Sequence, residues 1–272
     1  QNLQQLPIGL FGATVAQAAL PPLSTAVAQK NNKHFEQLLL ASYHQILFFI
    51  IPFSVLLFVL RIPIVRLVFG AARFDWQGTI LTSQTLAFFT ISLFAQSLVQ
   101  LFVRAFYALH DTKTPVIIGI VAMLINSVVS IIFIQFFHFG VWSLALSASF
   151  ASIVNFLSLL VCLDRRISLN RHSLFVPPLK MMAAAGIAMI AAYIPIKLFD
   201  QLVFDTTRTI ELFILTVIAT LSCLATYFFF AWFFAIEEVA TFINLVKRVR
   251  NVRQLMFSHS DELTTSAESA VT

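Results

Sequence analysis

Long apolar runs alternate with short polar connections along this chain. Seven runs of about 20 mostly apolar residues, the length that crosses a hydrocarbon core, fall at approximately 6–27, 44–68, 81–103, 115–137, 140–162, 179–198 and 210–235. No Asp, Glu, Lys or Arg stands in the middle of a run. Arg61, Arg66, Lys180, Lys197 and Glu211 sit at run ends, where long side chains reach the bilayer interface. The pattern predicts an all-α, polytopic transmembrane helix bundle of about seven spans. Pro7, Gly9, Gly12, Gln17, Pro21 and Pro22 interrupt the first run. A membrane helix tolerates such residues where neighbours or a water-filled cavity satisfy the freed backbone groups, so this helix is expected to face the protein interior. Beyond the last run, Val239, Phe242, Ile243, Val246, Val249 and Leu255 recur at helical spacing among Lys247, Arg248, Arg250 and Arg253. Residues 237–257 therefore read as an amphipathic helix on anionic headgroups, or as a solvated extension of the last span. The polar tail 258–272 reads as disordered.

Composition agrees with lipid as the solvent: 59% of the 272 residues are hydrophobic and 11% are charged, against roughly 25% charged in a soluble domain. The net charge of +5 does not indicate nucleic acid, because the basic residues lie in short clusters between apolar runs. Twelve of the 17 Lys and Arg fall in one alternate set of connections: Lys30, Lys33, Arg104, Lys113, Arg165, Arg166, Arg171, Lys180 and the tail group from Lys247 to Arg253. The other set holds only Arg61, Arg66, Arg73, Lys197 and Arg208. The positive-inside rule puts the first set and the C-terminus in the cytoplasm, and the first residue outside. The chain opens Gln1-Asn2-Leu3, with neither Met nor a signal peptide, and is expected to be the C-terminal piece of a longer protein.

Candidate chemistry is sparse. Cys162 and Cys223 each lie within an apolar run, without metal-ligand spacing, and read as small packed side chains. No nucleophile elbow, glycine-rich phosphate loop or HExxH is present, so no enzyme activity and no cofactor are expected. Gln17, Gln84, Gln96, Gln100, Asn126, Gln135 and Asn155 are the main uncharged polar residues in or near the spans. Each needs a hydrogen-bond partner in lipid, across helices or along a polar cavity. Asn126 and Ser130 lie one turn apart on one helix face; they suit interhelical packing, or a weak cation site built from two oxygens. His44, at the start of the second run, reads as an interfacial histidine.

Several strings between and within the runs are distinctive: Leu6-Pro7-Ile8-Gly9-Leu10-Phe11-Gly12, Leu20-Pro21-Pro22-Leu23-Ser24, Leu67-Val68-Phe69-Gly70 with Arg73-Phe74-Asp75, and Arg104-Ala105-Phe106-Tyr107-Ala108-Leu109-His110-Asp111-Thr112-Lys113-Thr114-Pro115. In order and spacing the sequence resembles the MurJ/MviN family, lipid II flippases of bacterial peptidoglycan synthesis within the multidrug/oligosaccharidyl-lipid/polysaccharide exporter superfamily. The strings cover residues 1–165; beyond them span count and charge pattern agree. The resemblance implies fourteen spans, two six-helix lobes and a final pair that makes a lipid-accommodating groove. On that scheme 1–165 is the second transport lobe, 166–236 adds the groove pair, and an N-terminal lobe of the same protein is missing. The small residues Ala183, Ala184, Ala185, Gly186, Ala188, Ala191 and Ala192 suit the groove or close helix packing.

The implied partners are lipid II, or a similar polyprenyl-pyrophosphate-linked sugar, and membrane lipids. The implied location is the bacterial inner membrane. A cavity arginine of the family aligns with Asn2 here, and the implied substrate cavity then takes Asn2, Gln5, Gln17 and Asn126. The Asn and Asp that hold sodium in some members read Asn126 and Ser130. The string from Arg104 to Pro115 implies a gating turn carried by Arg104, Tyr107, Asp111, Lys113 and Pro115. Its local chemistry is that of a rigid turn, with Asp111 accepting from turn amides and Thr114 capping the next helix. Two other readings stay open: an exporter of another lipid-linked sugar such as an O-antigen precursor, and a non-transporting scaffold of wall synthesis.

Overall fold

A computed structural model describes the backbone of residues 2–69, 75–138, 140–202, 209–236 and 238–239. The expected amphipathic helix at 237–257 and tail at 258–272 lie almost wholly outside the described residues. The described chain is helical: α1 (Asn2–Pro7), a π-helical segment (Ile8–Ala13), α2 (Thr14–Ala28), α3 (Asn32–Val59), α4 (Arg61–Phe69), α5 (Trp76–Ala108), α6 (Lys113–Gln135), α7 (Ser143–Ile167), α8 (Arg171–Leu202) and α9 (Thr209–Phe233). Seven of these stretches are long and apolar enough to cross a membrane, so the chain is a multi-pass membrane protein.

The first span runs Gln4–Ala28 through α1, the π segment and α2. Pro7 lacks an N–H, and the widened segment begins just after it, as expected where a helix must re-route its hydrogen bonds. Within the segment Gly12 is buried against α5: a Cβ there would lie 2.9 Å from the Ser97 Cβ. One side of the span packs on α3 and α5. The other, with Gln5, Leu6, Leu10, Thr14, Gln17, Pro21 and Pro22, is exposed. The expectation of an interior helix therefore describes one face only.

The second span differs from its sequence reading. Its helix occupies 32–59, whereas the apolar run spans 44–68. Asn31 caps it, its side chain accepting from the His34 N–H at 3.0 Å, so the helix starts in polar sequence well before the apolar run. It breaks at Leu60, and the remaining apolar residues form the separate α4. His44 is consequently twelve residues inside the helix. Its Nε2 lies 2.6 Å from the Ser173 carbonyl oxygen and its Nδ1 lies 3.5 Å from Glu238, so it ties α3 to the start of α8 and to the segment after α9.

Helix α5 is the hub, touching the first span, α3, α4 and α7. Helix α6 packs mainly on α7 and buries almost none of its apolar length. Helices α8 and α9 pack on each other and lean on α3. Ala184, Ala185, Ala188 and Ala192 are buried in that packing, and the Ser222 hydroxyl donates to the Ala191 carbonyl at 3.1 Å. Small residues let the two backbones approach this closely. Met182, Met189, Ile190, Tyr193 and Ile194 remain exposed on α8. Tyr227 of α9 donates to the Phe48 carbonyl at 3.0 Å and its ring centroid lies 5.7 Å from that of Phe48, joining α9 to α3 through a buried aromatic contact.

Candidate functional site

The first span, α5 and α7 bring polar side chains together at one cleft. Gln5 and Ile8 of the first span, Gln96, Val99 and Gln100 of α5, and Ser152 and Asn155 of α7 line a cleft of about 270 Å³. Spacing explains the convergence: 96 and 100 are one turn apart, as are 152 and 155, so each pair projects from one helix face. The cleft contains four amides and one hydroxyl, and no charged group among the described residues. Its floor is held by hydrogen bonds between spans. Gln96 Nε2 donates to Ser92 Oγ at 2.8 Å, Ser92 Oγ lies 3.0 Å from Ser149 Oγ, and Ser149 donates to the Phe88 carbonyl at 2.8 Å. Such bonds fix helix rotation where no water competes. Asn155 lines the cleft, and its Oδ1 is buried without a hydrogen-bond partner among the described residues. The chemistry on offer is neutral hydrogen bonding, suited to hydroxyl and amide groups.

Of the residues expected to share a cavity, Gln5, Gln17 and Asn126 have described side chains, and they take different places. Gln5 lines the cleft; Gln17 does not, and stands exposed further along the first span. Asn126 lies on α6, where its Oδ1 accepts from Ser130 Oγ at 3.4 Å, and Ser130 Oγ is 2.6 Å from Ser147 Oγ of α7. That chain of three side chains fastens α6 to α7. The side chain of Asn2 lies outside the described residues. Gln96, Gln100, Ser152 and Asn155 were not grouped with Gln5 by sequence reasoning; the one-turn spacing of the two pairs was the available signal.

The turn between α5 and α6 is built around Asp111. His110 closes α5 in the left-handed region (φ 58°), and the Asp111 N–H reaches back to the Phe106 carbonyl at 3.0 Å. The Asp111 carboxylate then accepts from the N–H groups of Lys113 and Thr114, each at 3.0 Å, and from the Thr114 hydroxyl at 2.6 Å. It also pairs with Arg166 of α7 at 2.5 Å, and that guanidinium lies over the Phe106 ring at 5.6 Å. Asp111, rather than Thr114, is thus the cap of α6. The hydroxyl and backbone N–H of Thr114, and after them Arg166, hold its carboxyl well below the ordinary range, at about 2. Arg104 stacks over Tyr107 at 5.9 Å, Lys113 is exposed and Pro115 is buried in the first turn of α6.

The family model for the lipid II flippase MurJ matches residues 1–204. The chain belongs to the lipid II flippase MurJ family. A probable lipid II flippase MurJ of Buchnera aphidicola is 30% identical over 193 residues, 68% of this chain and 36% of that protein. The Bdellovibrio bacteriovorus relative is 24% identical over 239 residues, 88% of this chain and 45% of that protein. The chain therefore spans less than half the length of these MurJ relatives. A solved lipid II flippase MurJ in an inward closed conformation shares the fold, with a TM-score of 0.65 at 24% identity over 82% of this chain and 44% of that one.

Proposed function

We propose that this chain supplies one transport lobe (1–165) and an added helix pair (166–236) to a lipid II flippase that works by alternating access across the bacterial inner membrane. The amide cleft carries the reading. A translocated head of sugars and peptide is rich in hydroxyl, acetamido and peptide groups, and Gln5, Gln96, Gln100 and Asn155 match these as donors and acceptors without a fixed charge. The exposed face of the first span also carries Thr14 and Gln17, further along from the cleft. Rocking of lobes about such a surface moves the head with no covalent step, so the protein acts as a transporter rather than an enzyme. The complementary wall is proposed to come from a further lobe, in line with the partial coverage of the relatives.

The test is a chimera in which this chain replaces the matching stretch of the Bdellovibrio relative in a strain depleted of its own flippase. Growth and lipid II translocation are expected. Gln96→Leu with Asn155→Leu removes two hydrogen-bonding groups worth about 1 kcal/mol each and should cut translocation by about tenfold or more. A chimera that reaches the membrane but moves no lipid II would sink the proposal. Translocation of a different lipid-linked sugar would instead favour the second reading, which Asn2 supports, because an uncharged residue stands where the family resemblance implies an arginine.

The same proposal places the C-terminus in the cytoplasm, on the strength of the basic-residue distribution. With Cys162 and Cys223 replaced by Ser, Ser258→Cys should react with an impermeant maleimide only after the cells are opened. Labelling in intact cells to the same extent would invert the topology.

A further inference from the structure

His44 of α3 meets two acceptors at once. Its Nε2 lies 2.6 Å from the Ser173 carbonyl oxygen at the start of α8, and its Nδ1 lies 3.5 Å from a Glu238 carboxylate oxygen just beyond α9. Both side chains are largely buried, at 12% and 17% exposed. A neutral imidazole has one N–H and one bare lone pair, whereas the doubly protonated ring donates from both nitrogens. With a single N–H the ring serves either the carbonyl or the carboxylate, and its lone pair opposes the other oxygen. A second proton removes that conflict and makes the contact with Glu238 charge-assisted. The closed arrangement therefore holds one proton more than an open one, in which a neutral ring keeps the Ser173 carbonyl and Glu238 turns to water.

Other titratable groups on α3 and the elements packed against it are engaged elsewhere, exposed or at the opposite end. Tyr43, whose ring centroid lies 5.5 Å from that of His44, places its hydroxyl 3.4 Å from the Leu174 carbonyl oxygen. On α3 itself Glu36 accepts from the Asn170 N–H at 2.7 Å, and Lys33 and His34 are exposed. From α8, Lys180 donates to the Phe234 carbonyl at 3.3 Å, while Arg171 and His172 are exposed. From α9, Tyr227 donates to the Phe48 carbonyl at 3.0 Å, Cys223 is buried and Glu211 belongs to the far end. Helix α5 carries Arg104, which lies over Tyr107, and meets Tyr43 through Phe102. The π segment and α2 hold no titratable side chain, and Arg61 and Arg66 of α4 follow the other end of α3. Among the described residues, Glu238 is the one ion-pair partner of His44.

We propose that His44 and Glu238 form a proton-operated latch: a ring protonated on both nitrogens holds the segment after α9 against α3 and the start of α8, and loss of one proton releases that segment. The bonds of Tyr43 and Tyr227 involve no change of charge, so they keep the helices themselves in place. What the proton controls is the stretch that carries Glu238, where Ile236 and Val239 are both buried at 6% exposed. Imidazole is the side chain whose charge ordinarily changes between about pH 5 and 8, so the latch opens as the medium turns from acidic to alkaline. The inference stands apart from the transport reading, because the amide cleft contains neither residue.

The test uses the 272-residue chain in nanodiscs, with Cys162 and Cys223 replaced by Ala and Val239→Cys as reporter. Its rate of reaction with a maleimide is divided by that of a matching Thr112→Cys chain, where the thiol is exposed, which removes the direct effect of pH on thiols. The ratio should rise about tenfold from about pH 5.5 to 8, the window in which imidazole ordinarily changes charge. His44→Phe keeps a ring and loses both nitrogens, so its ratio should be high at every pH. Glu238→Gln should do the opposite: its amide N–H can donate to a neutral Nδ1, so its ratio should stay low at every pH. That variant leaves the core untouched and tests the latch even where His44→Phe fails to fold. The labelled histidine ring signal that His44→Phe removes should show the doubly protonated ring at low pH and titrate together with the ratio. A flat ratio in the unaltered chain overturns the proposal. So does an unchanged pH response in either variant, or a His44 signal that does not titrate with the ratio.

Discussion

Gly12→Leu is expected to lower stability by about 3 kcal/mol or more and to reduce accumulation of folded protein sharply. A Cβ at Gly12 would stand 2.9 Å from the Ser97 Cβ and 3.0 Å from the Ser97 Cα. The second distance decides the outcome, because backbone cannot rotate away as a side chain can. Inserted carbon in a well-packed core costs typically about 1–3 kcal/mol when neighbours can shift. Here the neighbour is α5, already packed against the first span, α3, α4 and α7. Relief therefore means lifting the π segment off α5, which also opens the amide cleft at Gln5 and Ile8. Total stability of about 5–15 kcal/mol leaves little reserve for that. Cys223 is fully buried, so with the partly buried Cys162 replaced by Ser, its reaction with a thiol dye during heating in detergent reports unfolding. Gly9, where an added Cβ would meet nothing within 4 Å, is the control: Gly9→Leu should unfold close to the unaltered temperature. Equal shifts for the two variants would refute the steric account.

The span count was legible because it depends on one quantity, apolar length, that a linear chain carries directly. The second span shows where that fails. Apolarity continues from Phe48 past Leu60 into α4, so a hydropathy window slides toward the C-terminus, while the capped polar turn at Asn31 through Gln37 belongs to the helix but not to the apolar run. The start depended on an Asn side chain meeting the His34 N–H, and the stop on a local turn at Leu60. Neither contributes to average hydropathy. The π segment was foreshadowed by Pro7, Gly9 and Gly12, but the need for Gly12 arises from Ser97, far along the chain on α5.

Site residues were legible as a type and not as a set. An amide inside a span is visible as an exception to the apolar pattern, and Gln17, Gln96, Gln100, Asn126 and Asn155 are all such exceptions, whereas Gln5 precedes the first run and was named only through the family resemblance. Which of them meet depends on helix rotation, where one residue changes direction by about 100°. Gln5 meets Gln96, Gln100 and Asn155 because the first span, α5 and α7 turn those faces together. Asn126 turns toward Ser147 of α7 instead. An apolar cleft of about 620 Å³ between α4 and the α8–α9 pair was less legible still, since Arg61 and Arg66 in its lining look like ordinary span-end anchors until α8 and α9 close the opposite wall.

Asp111→Ala is expected to cost about 1–2 kcal/mol and to free the leading end of α6. The carboxylate joins three helices: it follows α5, caps α6 through Lys113, Thr114 and the Thr114 hydroxyl, and pairs with Arg166 near the end of α7. Loss of a cap costs about 1 kcal/mol. The pair with Arg166 adds less than about 1 kcal/mol, because that side chain is half exposed and water screens it. The structural effect exceeds the energy, since α6 has little packing besides α7 to hold it. Asp111 is more acidic folded than unfolded, so its contribution is complete above the ordinary carboxylate range near about 4 and disappears as pH falls through about 2. Thermal unfolding in detergent should therefore show a constant gap between the unaltered chain and Asp111→Ala from about pH 7 to 4, narrowing toward pH 2. Arg166→Gln should show a smaller gap that shrinks with added salt, because Arg166 ranks behind Thr114 in holding the carboxylate. An Arg166→Gln loss as large as that of Asp111→Ala would mean that the ion pair, and not the helix cap, secures the turn.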